Sequence, residues 1–475
     1  MRAGNKAVAA VLLSLPLLER VAIIVAHPGA VQGVDSWFLL GDAARGGGPA
    51  TSGWPLAQAF TRALYLMAGV HSWIIGAILD YTAVLAVYSV LRLSGLTRLS
   101  ASLIAAAAGS VPGTVAFGVQ FARENIVRPA LYMLPAYAIP AALVAALAGL
   151  LHHLLPSSLG ASMASSSLIA WLRGEQRRLA PALGGTAAAV LATAWTLSQT
   201  PGGVERLTAH NISVSSLALL ASAGLALGVV LATLDPGAGS FRRVITALLG
   251  AMASVAGAAS LAKAGVGVVE AIVYSAPAVL VALALGRRPR GLRGFYALSA
   301  YMLLGILAAA STLPTSYTLG AIGRLSSVLV VLAIAGFADP DGKVGRAALT
   351  SIIVLGLASS TMLALDHTVL NSNITYNAYD AAPASYLSST GWERTVIVDY
   401  TGSGPAYYYG LPHRVSCNPR DYNSGNLIII LDDMEKVGCR LIGGRIRETP
   451  PTRGFMIVYS NGHSMIVVSQ PHGGG

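Results

Sequence analysis

The feature that most constrains this chain is a series of continuous apolar runs, separated by short polar loops. A helix needs roughly 20 apolar residues to cross the hydrocarbon core of a bilayer. About eleven runs approach that length: 7–26, 72–92, 100–118, 130–152, 180–197, 213–233, 244–262, 268–286, 295–312, 325–338 and 347–365. Their apolar residues are contiguous and do not alternate, which argues against a porin-type barrel. Charged residues make up only 11% of the 475 residues, whereas soluble domains carry about 25%. With a mean hydropathy of +0.64, an ordinary cytosolic enzyme, a disordered chain and a coiled coil are excluded. The reading is a mainly α, polytopic transmembrane helix bundle of about eleven spans over residues 1–366, followed by a small extracytoplasmic α/β domain over 367–475.

Charge sets the expected orientation. The net charge is +11, an excess that in a membrane protein reflects basic cytoplasmic loops rather than a nucleic-acid partner. One alternating set of loops holds Arg92 and Arg98, then Arg173, Arg177 and Arg178, then Arg242 and Arg243. It continues with Arg287, Arg288, Arg290 and Arg293, and ends with Lys343 and Arg346. The other set carries Asp35, Asp42, Glu124 and Glu205 and fewer basic residues. The positive-inside rule puts the first set and the amino terminus, with Arg2 and Lys6, in the cytoplasm. An odd span count then puts the carboxy terminus outside a multi-pass protein of the cell membrane. The alternative for the first run is a cleaved signal peptide; Glu19 and Arg20 interrupt its apolar core and favour a retained helix.

Beyond residue 367, Asp, Asn, Tyr, Ser and Gly dominate. Short β-rich runs occur at Thr395–Asp399, Leu427–Leu431, Phe455–Tyr459 and Ser464–Ser469, with helical patterns near Tyr379–Ser389 and Asp432–Val437. Both cysteines, Cys417 and Cys439, lie here. Outside the cell such a pair most simply forms a disulfide, the alternative being two buried thiols. The sequons at Asn211 and Asn373 fall in segments expected on the outer side.

Nucleotide-binding P-loop, zinc-protease and Cys-x-x-Cys motifs are absent from the sequence. This argues against a nucleotide-driven pump, a zinc protease and a redox enzyme. The Gly402-Ser403-Gly404 segment follows an expected strand as a turn but lacks the rest of a dinucleotide fingerprint. Pro112, Pro129, Pro135, Pro140 and Pro277 interrupt apolar runs, a pattern that suits broken helices in transporters and in multi-helix enzymes alike.

Two acidic groups stand out at the outer ends of the spans. The first outer loop, about residues 27–71, contains Asp35 and Asp42, two turns apart on one face if the stretch is helical. A short loop presents Arg123, Glu124 and Asn125. Asp35 and Glu124 thus reach the same face from different helix pairs. Hard cations take carboxylates together with phosphate oxygens, so Asp35 and Glu124 are candidate ligands for Mg²⁺ or Mn²⁺. Such an ion stabilises charge on a phosphate leaving group, and a carboxylate can act as general base. The competing reading is a pair of solvated loop acids. Within the spans, Glu19, Arg20 and Asp80 are charged. A charge at mid-bilayer costs at least ~2.5–3.5 kcal/mol, which an Arg20–Asp80 pair between the first two spans would reduce.

The arrangement resembles the GT-C glycosyltransferases, multi-span membrane enzymes that use polyprenyl-phosphate-linked sugars. Leu18-Glu19-Arg20-Val21 followed by Val34-Asp35-Ser36-Trp37-Phe38 is similar to the opening of that family, and Arg123-Glu124-Asn125-Ile126 occupies the slot of its second acidic motif. Within the family the layout is most similar to oligosaccharyltransferase catalytic subunits. Leu313 to Arg324 stands where those enzymes have a functional outer loop, and Val398-Asp399-Tyr400-Thr401-Gly402 stands in the place of their Trp-Trp-Asp-Tyr-Gly motif. The resemblance implies a polyprenyl-linked sugar donor, a protein or glycan acceptor and a divalent cation held by Asp35 and Glu124. It makes Arg123, Asn125, Arg324, Asp399 and Tyr400 candidates for substrate contact. The chain departs from the pattern in having no tryptophan pair before Asp399 and no acid in 313–324. A non-catalytic scaffold with a partner-binding outer domain is therefore the alternative. A secondary transporter ranks below it, because no repeat of spans is visible.

Overall fold

The computed structural model describes residues 2–28, 31–48, 51, 54–136, 139–151, 154–172, 174, 180–199, 214–234, 240–263, 267–286, 291–312, 316–365, 379–422, 427–431, 439–441, 445–447 and 455–469. The protein is mainly helical, with a small sheet near the carboxy terminus. The first part of the bundle comprises α1 (Arg2–Ala26), α2 (Val34–Arg45), α3 (Pro55–Ala68), α4 (Ile74–Leu93), α5 (Arg98–Gly109), α6 (Pro112–Gly118) and α7 (Arg123–Met133). It continues with α8 (Ile139–Leu151), α9 (Leu154–Leu172), α10 (Ala180–Gln199), α11 (Val214–Leu234) and α12 (Ser240–Lys263). The last helices before the sheet are α13 (Val268–Ser275), α14 (Pro277–Ala284), α15 (Gly291–Ala310), α16 (Ser316–Phe337) and α17 (Lys343–Leu365).

Among the described residues, four helical stretches are long and apolar enough to cross a membrane: Asn5–Ala26, Pro55–Leu93, Gly291–Ala310 and Lys343–Leu365. The bent pair α5–α6, with 69° between its halves, is a fifth if it counts as one broken span. Shorter apolar helices lie at Leu183–Trp195, Leu219–Thr233, Thr246–Ala259, Val268–Ala284 and Leu325–Phe337. The sequence expected residues 27–71 to form a long loop. Instead α2 and α3 fill most of it, and the apolar helical stretch that ends at Leu93 begins at Pro55 and not at 72.

Small residues let these helices approach closely. A Cβ on Gly305 of α15 would stand 2.0 Å from the Gly224 carbonyl oxygen of α11. In α5, Ala101, Ile104, Ala105, Ala106 and Ala107 are fully buried. The α5–α6 bend follows from sequence, since Pro112 sits in the first turn of α6 and cannot donate a backbone bond to continue α5.

Loops that the charge pattern assigned to one side meet at one end of the bundle. There Arg293 Nε donates to the Ala335 carbonyl at 3.1 Å, the Asp339 amide to Ala284 at 2.8 Å, and the Ser100 hydroxyl to Asp341 at 3.3 Å. Residues 173, 175–179 and 287–290, with half of the arginines of that set, lie outside the described residues, as do both sequons.

The carboxy-terminal domain contains α18 (Ala382–Ser389), β1 (Val396–Val398), α19 (Tyr400–Tyr408), β2 (His413–Val415), α20 (Pro419–Tyr422) and β3 (Leu427–Ile430), then β4 (Cys439–Leu441), β5 (Arg445–Arg447), β6 (Phe455–Ser460) and β7 (Met465–Ser469). Five strands form a mixed sheet in the order β2-β1-β3-β7-β6, with β1 parallel to β2 and β3. Alternation along each strand feeds two cores. Val396, Val398, Leu427 and Ile429 pack with α18 and α19, while Ile397, Ile428 and Ile430 pack with Tyr422 and Cys439. Cys417 and Cys439 are bridged, with Cα atoms 5.7 Å apart, as the sequence favoured. Sequence patterning anticipated α18 and strands β1, β3, β6 and β7, and missed β2, β4, β5, α19 and α20. The expected Gly402–Gly404 turn is the buried interior of α19, where Gly404 lets the helix approach Trp37: a Cβ would stand 3.0 Å from the tryptophan's own. The helical pattern at 432–437 lies outside the described residues.

Candidate functional site

Three carboxylates decide how the end of the bundle beneath the carboxy-terminal domain is built. The start of α2 is pinned to the segment that precedes α7. Ser36 Oγ accepts the Phe121 amide at 2.6 Å, and a Cβ on Gly33 (φ 83°) would stand 2.4 Å from Gln120 Cγ. Only glycine meets both the left-handed backbone and the close approach. Asp35, half-buried in the first turn of α2, and Glu124, buried in the first turn of α7, are thereby carried to one junction. Both occupy helix starts, where a negative side chain is favoured by the helix dipole. Arg123 lies flat over the Trp54 ring, 4.1 Å from its centroid. Asn125 is fully buried, and its amide donates to the carbonyls of Phe117 at 3.0 Å and Gln120 at 2.6 Å. It therefore closes the turn that presents Arg123 and Glu124.

Asp42 has a different role. It is 1% exposed and accepts the Thr51 amide at 2.6 Å, the Thr51 hydroxyl at 2.9 Å and the Tyr407 hydroxyl. Arg45 donates to the Tyr407 carbonyl at 2.9 Å and stacks over the Tyr407 ring at 4.1 Å. Burial, then the Asp42 hydrogen bond, raises the Tyr407 phenol above the ordinary tyrosine value. Burial also raises Tyr408, whose hydroxyl meets that of Tyr65 at 3.2 Å. Trp37 packs edge-on to Tyr408, and Phe38 packs on Tyr407. Together these contacts dock α19 onto α2 and so fix the carboxy-terminal domain above the junction. The Asp42 spacing was visible in sequence, but its partners lie 365 positions away in Tyr407 and in a turn with no motif.

The other sequence candidates are placed as follows. Asp399 is 1% exposed and caps α19, accepting the Gly402 amide at 2.7 Å and the Thr401 hydroxyl at 2.6 Å. Tyr400 is half-buried beside the α2 aromatic cluster. Arg324 lies on α16, because residues expected as a loop are helical from Ser316; its side chain and residues 313–315 lie outside the described residues.

Deeper in the bundle, Arg20 and Asp80 pair as expected: Nε and Nη2 donate to Oδ2 at 2.9 and 2.6 Å. Sequence reasoning missed the third member. Arg128 Nη1 donates to Asp80 Oδ1 at 3.0 Å. No local pattern points to it, since its partner Asp80 lies 48 positions away on another helix. Asp80 thus ties α1, α4 and α7 together. Beside it, a cavity of about 20 Å³ is lined by Asp80, Arg128, Tyr132, Thr114 and Ser327 among others.

Among the described residues, no group of three or more His, Cys, Asp or Glu side chains gathers as a metal centre. Asp35 and Glu124 supply hard oxygen donors, a set that suits Mg²⁺ or Mn²⁺ when phosphate oxygens complete the shell. Comparison with protein-family models and with curated proteins gave no match to this chain.

Proposed function

We propose that this chain is a membrane glycosyltransferase of the GT-C kind. It transfers a sugar or oligosaccharide from a polyprenyl-phosphate or diphosphate donor to a protein or glycan acceptor. On this reading the shorter apolar helices are further crossings, to a total of about eleven. The amino terminus is cytoplasmic, and the junction and carboxy-terminal domain are extracytoplasmic. The observation that supports the reading is the Ser36–Phe121 bond of 2.6 Å, which seats the helix starts carrying Asp35 and Glu124 at one junction.

Asp35 and Glu124 would hold a divalent cation, which supplies neutralisation of charge on the leaving phosphate. Asp35 Oδ would accept the proton of the acceptor nucleophile. Arg123, Asn125 and Arg324 on the bundle, with Asp399 and Tyr400 on the domain, border or position the donor and acceptor. The experiment is turnover of lipid-linked sugar, supplied as a lipid extract from the protein's own source, with Mn²⁺ or Mg²⁺. Release or transfer of sugar, abolished by EDTA and by Asp35→Ala, is expected. Full activity in a folded Asp35→Ala protein overturns the assignment.

A specific observation favours a second reading, a non-catalytic scaffold whose carboxy-terminal domain binds a partner. Asp399, the best-matched residue of the family's domain motif, is buried and used to cap its own helix. Absence of both turnover and lipid-phosphate binding in the wild type supports that reading.

A further inference from the structure

The two arginines that share Asp80 are satisfied unequally. Every nitrogen of Arg20 has a partner: Nε and Nη2 donate to Asp80 Oδ2, Nη1 to the Pro16 carbonyl at 2.6 Å, and Nη2 also to the carbonyls of Gly109 and Thr114. Arg128 is 3% exposed and donates from Nη1 to Asp80 Oδ1 at 3.0 Å and from Nη2 to Ser327 Oγ at 3.4 Å. Its Nε has no partner among the described residues. The Thr114 hydroxyl of α6, also buried, has none either. Both residues line the cavity enclosed by α4, α5, α6, α7 and α16. A buried donor left without an acceptor is costly, and more so on a charged group. Two such donors border one cavity.

The charges here form a row of alternating sign. Glu19 adjoins Arg20 on α1, Arg20 pairs with Asp80 of α4, and Asp80 pairs with Arg128 of α7. Glu19 faces α17 at the α5–α6 bend: its Oε1 and the Ser110 carbonyl oxygen lie 2.8 and 2.2 Å from the Cβ position of Gly356. It does not line the cavity, and neither does Glu124, one turn before Arg128 on α7. On α5 the charged residue is Arg98, at the opposite end of that helix, and α6 carries none. Asp80 does line the cavity, but Oδ2 accepts from Arg20 and Oδ1 from Arg128. Arg128 is therefore the positive end of the row, its counter-charge a carboxylate shared with Arg20.

The cavity measures about 20 Å³, room for one group of water size. That excludes phosphate and carboxylate and leaves a monatomic anion or a water. Guanidinium hydrogen bonds to an ionised acceptor are the stronger kind. A halide accepts from every donor it meets, whereas a water must also place two protons. Much of the remaining wall, as at Val84, Val87 and Val331, is apolar.

We propose that this cavity is a chloride site, in which the ion accepts from Arg128 Nε and the Thr114 hydroxyl and joins α7 to α6. The site is independent of the transferase reading. The test follows thermal unfolding of the full chain in lipid nanodiscs, with sodium gluconate replaced stepwise by sodium chloride at constant ionic strength. An ion that binds only the folded state raises the midpoint by mass action. The wild-type midpoint rises by several degrees and saturates. Thr114→Val keeps the side-chain shape and every ion pair, and needs about tenfold more chloride for half the rise, the worth of one hydrogen bond to an ion. An identical response in the variant overturns the proposal, because the ion then binds elsewhere. If Thr114→Val does not fold, Arg128→Lys takes its place, since it keeps a charge for Asp80 and lacks Nε. An ion held too tightly to exchange leaves the midpoint flat, so both proteins are also prepared in bromide, moved to gluconate and unfolded. Stoichiometric bromide released from the wild type and not from the variant supports the site. A flat midpoint with no bromide released overturns it, and the cavity is then a hydration site.

Discussion

The carboxylates inside the bundle and those at the junction are the same chemical groups put to opposite uses. Asp80 is 2% exposed and clamped by two arginines from two other helices, so its charge is consumed by the fold. Asp35 sits half-exposed at a helix start, on a backbone pinned by other residues, Gly33 and Ser36. Asp42 lies between them in character, joining two parts of the molecule through Thr51 and Tyr407. The difference teaches that a membrane protein's acids sort by who supplies the counter-charge. When buried arginines clamp it, the acid is structural; when it sits half-exposed at a helix start, it is placed to meet something that arrives.

The largest expected effect is therefore at Asp80. Asp80→Ala leaves Arg20 and Arg128 buried without a counter-ion, a loss of about 3–5 kcal/mol. It should leave little folded protein in size-exclusion profiles of detergent extracts. A variant that purifies with the wild-type unfolding midpoint would break the comparison, because the triad would then be dispensable. Next comes the disulfide. Cys417 and Cys439 are 22 residues apart, a loop whose closure stabilises by about 3 kcal/mol. Cys417→Ser with Cys439→Ser should unfold the carboxy-terminal domain at lower temperature and leave bundle unfolding in place, which domain-specific limited proteolysis resolves.

How much of this was legible in the sequence follows the same division. Apolar run length located the bundle, and the price of an unpaired intramembrane charge pointed to Arg20–Asp80. Arg128 escaped because its partner lies 48 positions away on another helix, which leaves no local pattern. The disulfide was legible because two cysteines allow one pairing. The helix α19 was not. Gly402, Gly404 and Pro405 read as a turn, yet their small volumes and the Asp399 cap are what allow a helix against Trp37. The Asp42–Tyr407 lock was invisible for the reason that hid Arg128: long-range partners leave no local pattern.

That lock sharpens the comparison at intermediate scale. Asp42→Ala removes three hydrogen bonds and leaves the buried Thr51 hydroxyl and the half-buried Tyr407 hydroxyl without this acceptor, a loss of about 1–3 kcal/mol. Its expected signature is faster protease cleavage between bundle and domain, with the bundle's unfolding midpoint unchanged. Tyr407→Phe should reproduce part of it. The contact also carries a pH dependence. Burial and Asp42 raise the Tyr407 phenol, so the fold favours the neutral form. Its contribution is present below the ordinary tyrosine pKa of about 10 and fades as pH rises past it. Protease sensitivity should rise with alkaline pH in the wild type and stay flat in Tyr407→Phe. A pH-independent wild type would place the docking energy in the aromatic contacts instead.

The smallest expected effect on stability is at Asp35, and it is the one that separates the two uses of charge. Asp35→Asn keeps the shape of the side chain and removes its charge, and with it a helix-dipole interaction of about 0.3–1 kcal/mol at a half-exposed helix start. Its unfolding midpoint should stay close to wild type in the same nanodisc measurement that exposes Asp80→Ala. Under the proposed transferase reading, sugar turnover should nonetheless be lost, because the asparagine neither carries the charge that holds a cation nor accepts a proton. A large fall in stability would instead move Asp35 into the same class as Asp80, an acid whose charge the fold consumes. Stability and turnover must therefore be read on one preparation: an intact fold with lost turnover keeps the junction functional, whereas joint loss makes it another structural clamp.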